Sequence, residues 1–275
     1  VPGNNANSEY STMVNSYAAA RDINQTSSVL DAIPGFVGGV DYEKLESARL
    51  LNSSEYTINT SLGYISLKST LAIAYEYTYG GVTYQVGEFA SDIQDVNQAL
   101  FVKSLKNTSN NPQQGNWDLM MKNVYYLASS VEKDKFRLDV KFQSDTTGVY
   151  LSYIPEQQVK DQTIIKLLGA DRLDNNNKAN SNGYFDYVEG YTISNGRVFF
   201  PEAEPFGDYM YKALTAKGVA PDVAAKYSFT ELYDSTKTVA KQIAEKDKYQ
   251  LVGQFRGTLA NVISLGAYNV PQGSV

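Results

Sequence analysis

An antiparallel, sheet-rich α+β fold, sandwich-like and carrying several short helices, is the class this sequence predicts. Three observations lead there. Residues 136–143, FRLDVKFQ, alternate Phe136, Leu138, Val140 and Phe142 with Arg137, Asp139, Lys141 and Gln143, the period of a strand with one buried face. Two tight turns, Gly80-Gly81 and Asn195-Gly196, each sit between apolar runs and mark hairpins. Between such runs lie short stretches whose apolar residues recur at three- and four-residue spacing, as on an amphipathic helix.

Taken in order, residues 1 to about 12 are polar and expected to be mobile, while EYSTMVNSYAAARDI (9–23) spaces Met13, Val14, Tyr17 and Ala18 for a short helix. Pro34-Gly35 and Gly38-Gly39 break the chain before strand-like sequence that runs through YTINTSLGYISLK. LAIAYEYTYGGVTYQVGEFA then places Tyr75, Tyr77 and Tyr79 on one face and returns through Tyr84 and Val86. ALFVKSLK (99–106) reads as another strand and the breaker-rich 107–116 as a loop. In WDLMMKNVYYLA (117–128), Leu119, Met120, Val124 and Leu127 suit a helix.

After the strand at 136–143, QTIIKLLGADRLD predicts a short helix ending near Gly169, followed by the Asn-rich loop DNNNKANSNG. YTIS-NG-RVFF is a hairpin with the residue pair that favours a type I′ turn. PFGDYMYKAL and APDVAAKY read as helical. In DSTKTVAKQIAEK, Asp234 is the expected N-cap and Val239, Ala240, Ile243 and Ala244 the apolar stripe. KYQLVGQFRG closes with Tyr249, Leu251 and Phe255 on one face. No repeat of fixed period is present, which excludes a solenoid or propeller.

Composition narrows the chemistry. The chain has 275 residues, 43% of them hydrophobic, enough for a full core. Thirty acidic against 24 basic residues leave a net charge of -6, so the basic face that a nucleic-acid binder uses to displace counterions is not expected. With no cysteine there are no disulfides and no thiolate nucleophile. With no histidine the Ser-His-Asp and Cys-His arrangements and His-held metals are excluded as well. No apolar run reaches the roughly 20 residues of a membrane-spanning helix. The opening VPGNNANSEY lacks the basic and apolar regions of a secretory leader, and the ending AYNVPQGSV reads as a stop within strand-like sequence.

Three constellations remain. Glu202 and Glu204, two apart between Pro201 and Pro205, would point to one side of an extended chain as a carboxylate pair, or form a charged edge that stops strand pairing. Asp171, Asp174, Asn176, Asp186 and Glu189 supply the hard oxygen ligands that calcium prefers. They fail the EF-hand pattern: counted from Asp174, the fifth position is Lys178, the sixth Ala179 and the twelfth Phe185. Two readings fit them, a calcium loop of another kind on Asp171, Asp174, Asp186 and Glu189, and a cluster of Asn/Asp turns bonded to its own backbone. Of the 22 tyrosines, Tyr75, Tyr77 and Tyr84 form a surface for a partner or a glycan, or cross-strand packing. No phosphate-binding or nucleophile-elbow motif occurs. The expectation is a chain that is not an enzyme.

Five blocks in fixed order, VDYEKLESARLLNSSEYTINTSLGYISL, GNWDLMMKNVYYL, FDYVEGYTISNGRVFFPEAEPFG, YSFTELYDSTKTVAKQIAEKDKYQLVGQF and LGAYNVPQGSV, resemble the SprA/Sov family. These are giant outer-membrane proteins of Bacteroidetes, associated with type IX secretion and gliding motility. The resemblance runs from about residue 38 to the end, which divides the chain into an N-terminal extension (1–37) and a β-rich soluble domain (38–275). It implies a non-catalytic piece of a β-barrel translocon at the cell surface, on the extracellular side of the outer membrane. Its partners would be other protein components of the secretion complex and cargo. The resemblance implies no catalytic residues and no cofactor. One departure bears on calcium: before FDYVEG the family's stretch is Asp/Pro-rich, whereas this chain reads NNNKANSNG, which weakens any metal site carried over.

Overall fold

A computed structural model describes residues 9–60, 64–67, 72–93, 95, 97–104, 111–113, 117 and 121–255, with the backbone of 258–264. The fold is α+β, built from short helices and small antiparallel sheets. The chain divides into two compact units, one comprising the chain up to Thr57 and Ile65–Met120, the other Ile58–Tyr64 and Met121–Ser274. The boundary expected near residue 37 falls inside the first unit. No helix among the described residues is long and apolar enough to cross a membrane.

The first unit begins with helix α1 (Glu9–Ser16), a 3-10 turn at Ala18–Arg21 and helix α2 (Thr26–Asp31). One helix over 9–23 was expected; Tyr17, at φ -127° and ψ 38°, breaks it in two. Glu9 to Thr12, read both as the end of a mobile tail and as the start of that helix, form the first turn of α1, and residues 1–8 lie outside the described ones. Strands β1 (Tyr56–Asn59) and β2 (Tyr64–Leu67), each divided between the two units at Thr57/Ile58 and Tyr64/Ile65, form a two-stranded sheet. Next come β3 (Ala72–Ile73), β4 (Tyr75–Tyr79), β5 (Val82–Val86) and β6 (Lys103–Ser104), with β3 paired to β6 and β4 to β5. The strand expected over 99–106 is therefore two residues long, with Leu105 and Lys106 outside the described residues. Much of the expected 107–116 loop lies outside them too. The apolar interior of this unit is thin: among its described residues only Ala20, Leu30 and Ile73 are buried hydrophobic side chains.

The second unit holds β7 (Val124–Tyr126), β8 (Arg137–Gln143), β9 (Tyr150–Leu151), α3 (Ile164–Leu167), β10 (Ile193–Ser194) and β11 (Arg197–Phe199). Helices α4 (Asp208–Ala216), α5 (Pro221–Ala224), α6 (Glu231–Asp234) and α7 (Lys237–Gln242) follow, then β12 (Tyr249–Phe255) and β13 (Thr258–Ser264). The sheets are ordered β10-β11-β7 and β13-β12-β8-β9. In β8 the alternation works as expected: Leu138, Val140 and Phe142 are buried and register against Gly253, Leu251 and Tyr249 of β12. Tyr249, Leu251 and Phe255 are buried on the facing strand, again as expected.

The segment 117–128 corrects the sequence reading. Val124–Tyr126 is a strand, paired as Val124↔Phe199, Tyr125↔Val198 and Tyr126↔Arg197, whereas a helix was expected. Leu119 and Met120 lie outside the described residues. Asp234, the expected N-cap, ends α6; the cap of α7 is Thr236, whose hydroxyl accepts the Val239 N–H at 3.4 Å. Of the expected stripe, Ala240 is buried and Ile243 packs on the core, but Val239 is exposed.

Asn195 and Gly196, at φ 49° and 69°, make the predicted tight turn between β10 and β11. A Cβ on Gly196 would lie 1.7 Å from the Ala128 carbonyl oxygen, so close approach as well as φ demands glycine there. α3 is capped by Thr163 and stops before Gly169 at φ 67°, as read from the sequence.

The core of this unit is aromatic. Phe185, Phe200, Tyr125 and Phe206 pack edge to face at 5.1 to 6.0 Å, and Tyr249 joins Phe206 at 4.9 Å and Phe142 at 5.2 Å. Tyrosine can be fully buried here because each hydroxyl finds a partner. The Tyr125 and Tyr233 oxygens are 3.2 Å apart, Phe206 N–H donates to the Tyr233 oxygen at 3.0 Å, and Tyr249 donates to the Tyr227 carbonyl at 2.6 Å. Burial pushes all three phenols upward, well out of the physiological range.

Candidate functional site

In the first unit the structure brings Tyr75, Tyr77 and Tyr84 together. β4 and β5 register as Tyr75↔Val86, Tyr77↔Tyr84 and Tyr79↔Val82, so these six residues share one face of the hairpin. The Tyr77 and Tyr84 rings stack across the strands at 5.2 Å, and Tyr75 stacks on Tyr77 at 6.1 Å. Burial, followed by the neighbouring Tyr77, raises the pKa of the Tyr75 phenol. Exposure climbs toward the turn, to 47% for Tyr77 and 77% for Tyr79, with Val82 also exposed. On the opposite face Thr78 and Thr83 bond hydroxyl to hydroxyl at 3.1 Å. The result is a row of stacked rings with an open apolar end at Tyr79 and Val82.

In the second unit the predicted acidic residues take separate tasks. Asp171 accepts the N–H groups of Asn182 and Gly183 at 2.9 and 3.1 Å. Asp186 accepts those of Arg172 and Leu173, both at 2.9 Å. Both carboxylates are buried. Desolvation, with a smaller push from the Asp171 charge, raises the pKa of Asp186 despite its two amide donors. Asp174 takes the N–H groups of Asn176 and Lys178 at 2.8 and 3.0 Å, closing a tight turn. Glu189, on the exposed side, accepts from the Tyr187 hydroxyl at 2.6 Å. The structure thus brings Asp171 and Asp186 together and leaves Asp174 and Glu189 apart from them. Among the described residues no group of three or more acidic side chains is arranged to hold a metal ion. Asp171, Asp174 and Asp186 act as acceptors for their own loop's backbone, and Glu189 for a side-chain hydroxyl.

Glu202 and Glu204 are not on an extended strand. Residues 201–204 are a run of bends between β11 and α4. Glu204 accepts from Lys122 Nζ at 3.0 Å, and Asp234 stands 3.7 Å from the same nitrogen. Lys122 is buried, so Glu204 supplies the countercharge that lets an ammonium sit there. Glu204 is thus held in an ion pair rather than standing beside Glu202 on an extended chain.

One charged site escaped the sequence reading. In the first unit Arg21 and Glu88, 67 residues apart, form a bidentate pair at 2.7 and 2.8 Å with Glu88 buried. Nothing in the sequence links two such distant residues, and LAIAYEYTYGGVTYQVGEFA drew attention to its tyrosines only. Compared with known families and with curated proteins, the chain matches no family model and no curated protein.

Proposed function

We propose that this chain is a non-catalytic structural and interaction domain of a SprA-like outer-membrane translocon, exposed at the cell surface, with the tyrosine hairpin as its contact surface for other secretion-complex proteins or cargo. The observation that carries the reading is the open end of the hairpin, where Tyr77, Tyr79 and Val82 leave aromatic and apolar surface in solvent. Of the two glutamates considered for catalysis, Glu204 is engaged by Lys122, which supports a reading in terms of recognition. In this reading the domain acts sterically and through its acidic charge, shaping access to the pore.

The test is made in the full-length parent. Changing Tyr77 and Tyr79 together to Ser is expected to leave the domain folded but to reduce secretion and co-purification of complex components. Unchanged secretion and unchanged co-purification with a folded double variant would overturn the proposal.

A cell-surface glycan module is the second reading, favoured by the 77% exposure of Tyr79, the most exposed aromatic ring among the described residues. Glycan-array binding that is lost in Tyr79→Ser would select it. Binding to complex proteins without glycan binding would select the first.

A further inference from the structure

The Arg21–Glu88 pair is built like a receptor for a guanidinium. Glu88 sits where the chain leaves β5, directly after Gly87. That glycine, at φ 76°, lies so near Ala74 that a Cβ would stand 2.8 Å from the alanine's own Cβ. Glu88 is tied at its backbone by its N–H to the Phe101 carbonyl at 2.9 Å, and its Oε2 accepts the Phe101 N–H at 2.9 Å. Its Oε1 accepts the Tyr10 hydroxyl at 2.9 Å. Arg21 completes the arrangement with Nη1 on Oε2 and Nη2 on Oε1, its Cζ 4.5 Å above the centre of the Phe101 ring, and Nη1 3.5 Å from the Ala99 carbonyl. A fork for two N–H groups, an aromatic face and a carbonyl at the rim are the features that favour arginine over lysine. Burial alone would raise the pKa of Glu88, but Arg21, the Phe101 N–H and Tyr10 outweigh it and hold the carboxyl below its usual range.

The segment carrying Arg21 buries little apolar surface and is held mainly by polar bonds. α1 has no buried residue, the 3-10 turn buries only Ala20, and α2 buries Thr26 and Leu30. The segment's bonds to 88–104 include the arginine fork, the Tyr10 hydroxyl and two backbone bonds, Ala99 N–H to Arg21 at 2.6 Å and Ile23 N–H to Asn97 at 3.2 Å, and the Tyr42 hydroxyl and Lys44 Nζ reach Asp31 and the Ile23 carbonyl, each at 2.6 Å. Glu88 is buried and costly to leave without a cation, so the fork parts at low cost only when another guanidinium takes the place of Arg21. We propose that the Glu88–Phe101 pocket is an arginine-binding site, plugged in the resting chain by Arg21 on a detachable N-terminal strap, residues 9–31, and able to take an arginine side chain from a partner polypeptide in its place. This goes beyond the tyrosine surface and does not depend on it.

The test uses the whole chain and two probes, Nα-acetyl-arginine methylamide and its lysine counterpart. Arg21→Ala is expected to bind the arginine probe at least about tenfold more tightly than the lysine probe, and wild type to bind it at least about tenfold more weakly than the variant because its own arginine fills the site. Arg21→Ala/Glu88→Gln is expected to lose that preference. Equal binding of both probes by Arg21→Ala, or arginine binding that survives Glu88→Gln, overturns the proposal. Should Arg21→Ala unfold the first unit, the arginine probe and not the lysine probe is expected to restore slow hydrogen exchange over 88–104, and no such rescue overturns it. In wild type, residues 9–31 are expected to exchange faster than 72–88; equal protection removes the strap.

Discussion

Asp171 and Asp186 bind each other's side of one loop: the Asp171 carboxylate holds the N–H groups of Asn182 and Gly183, just before Asp186, and Asp186 holds those of Arg172 and Leu173, just after Asp171. The reciprocity closes a 14-residue excursion with side-chain oxygens where strands would use a ladder. Asp171→Ala leaves two N–H groups without these acceptors, each costing about 1–3 kcal/mol where water cannot replace it. Urea unfolding is expected to show a loss of at least that size; no change would mean that the clamp contributes nothing.

The same clamp has a pH signature. Asp186 has a folded-state pKa raised mainly by desolvation, so the folded state holds its proton more tightly than the unfolded chain. Stability contributed by this group is therefore present at low pH and lost as pH rises through the folded pKa. Relative to Asp186→Asn, which cannot ionise, wild type is expected to lose ground as pH increases from below the usual carboxylate range to neutrality. A stability difference independent of pH, measured by urea titrations across that range, would contradict the burial argument.

Gly196 is constrained twice, by its positive φ and by the Ala128 carbonyl. Gly196→Ala is expected to cost roughly 3 kcal/mol or more, since backbone strain adds to a clash with backbone. Asn195→Gly keeps the turn and is expected to stay within about 1 kcal/mol of wild type. Chemical denaturation of the two variants, side by side, separates turn geometry from side-chain effects.

Lys122 and Glu204 make a buried-to-surface ion pair at 3.0 Å. A double-mutant cycle with Lys122→Met and Glu204→Leu is expected to give a coupling of about 1–3 kcal/mol, with the double variant more stable than the summed single losses imply. Additive losses would show that the two charges act independently.

The tyrosine row separates packing from recognition. Tyr77→Ala and Tyr84→Ala are expected to couple by about 0.5–1.5 kcal/mol because their rings stack. Tyr79→Ser is expected to stay within roughly 0.5 kcal/mol in stability, its ring being in solvent. Loss of partner capture in Tyr79→Ser then reports on contact rather than on folding.

Local pattern carried much of the fold. β8 was legible because its alternation matches a one-sided strand, and both glycine-containing turns were legible because few residue pairs tolerate two positive φ values. Val124 to Tyr126 misled because apolar residues at positions 119, 120, 124 and 127 fit a helical stripe. The decisive contact is β11, over 70 residues onward, and pairing there buries Val124 and Tyr125. Asp234 was two residues early because Thr236, also a capping residue, follows it after Ser235. For the candidate site, the tyrosine face followed from period two, since cross-strand neighbours are fixed by the turn. The destinations of the acids did not, because oxygen-rich loops look alike whether they serve a cation or their own backbone. Arg21 and Glu88 meet through tertiary structure alone.

The aromatic interior of the second unit also labels it for spectroscopy. The chain has a single tryptophan, Trp117, which belongs to the first unit, while the fully buried, rigidly packed Tyr125, Tyr233 and Tyr249 belong to the second. Indole fluorescence therefore reports on the first unit and ring resonances of Tyr125, Tyr233 and Tyr249 on the second, and coincident or separate melting curves will say whether the thin-cored unit and the aromatic one unfold as a single cooperative system.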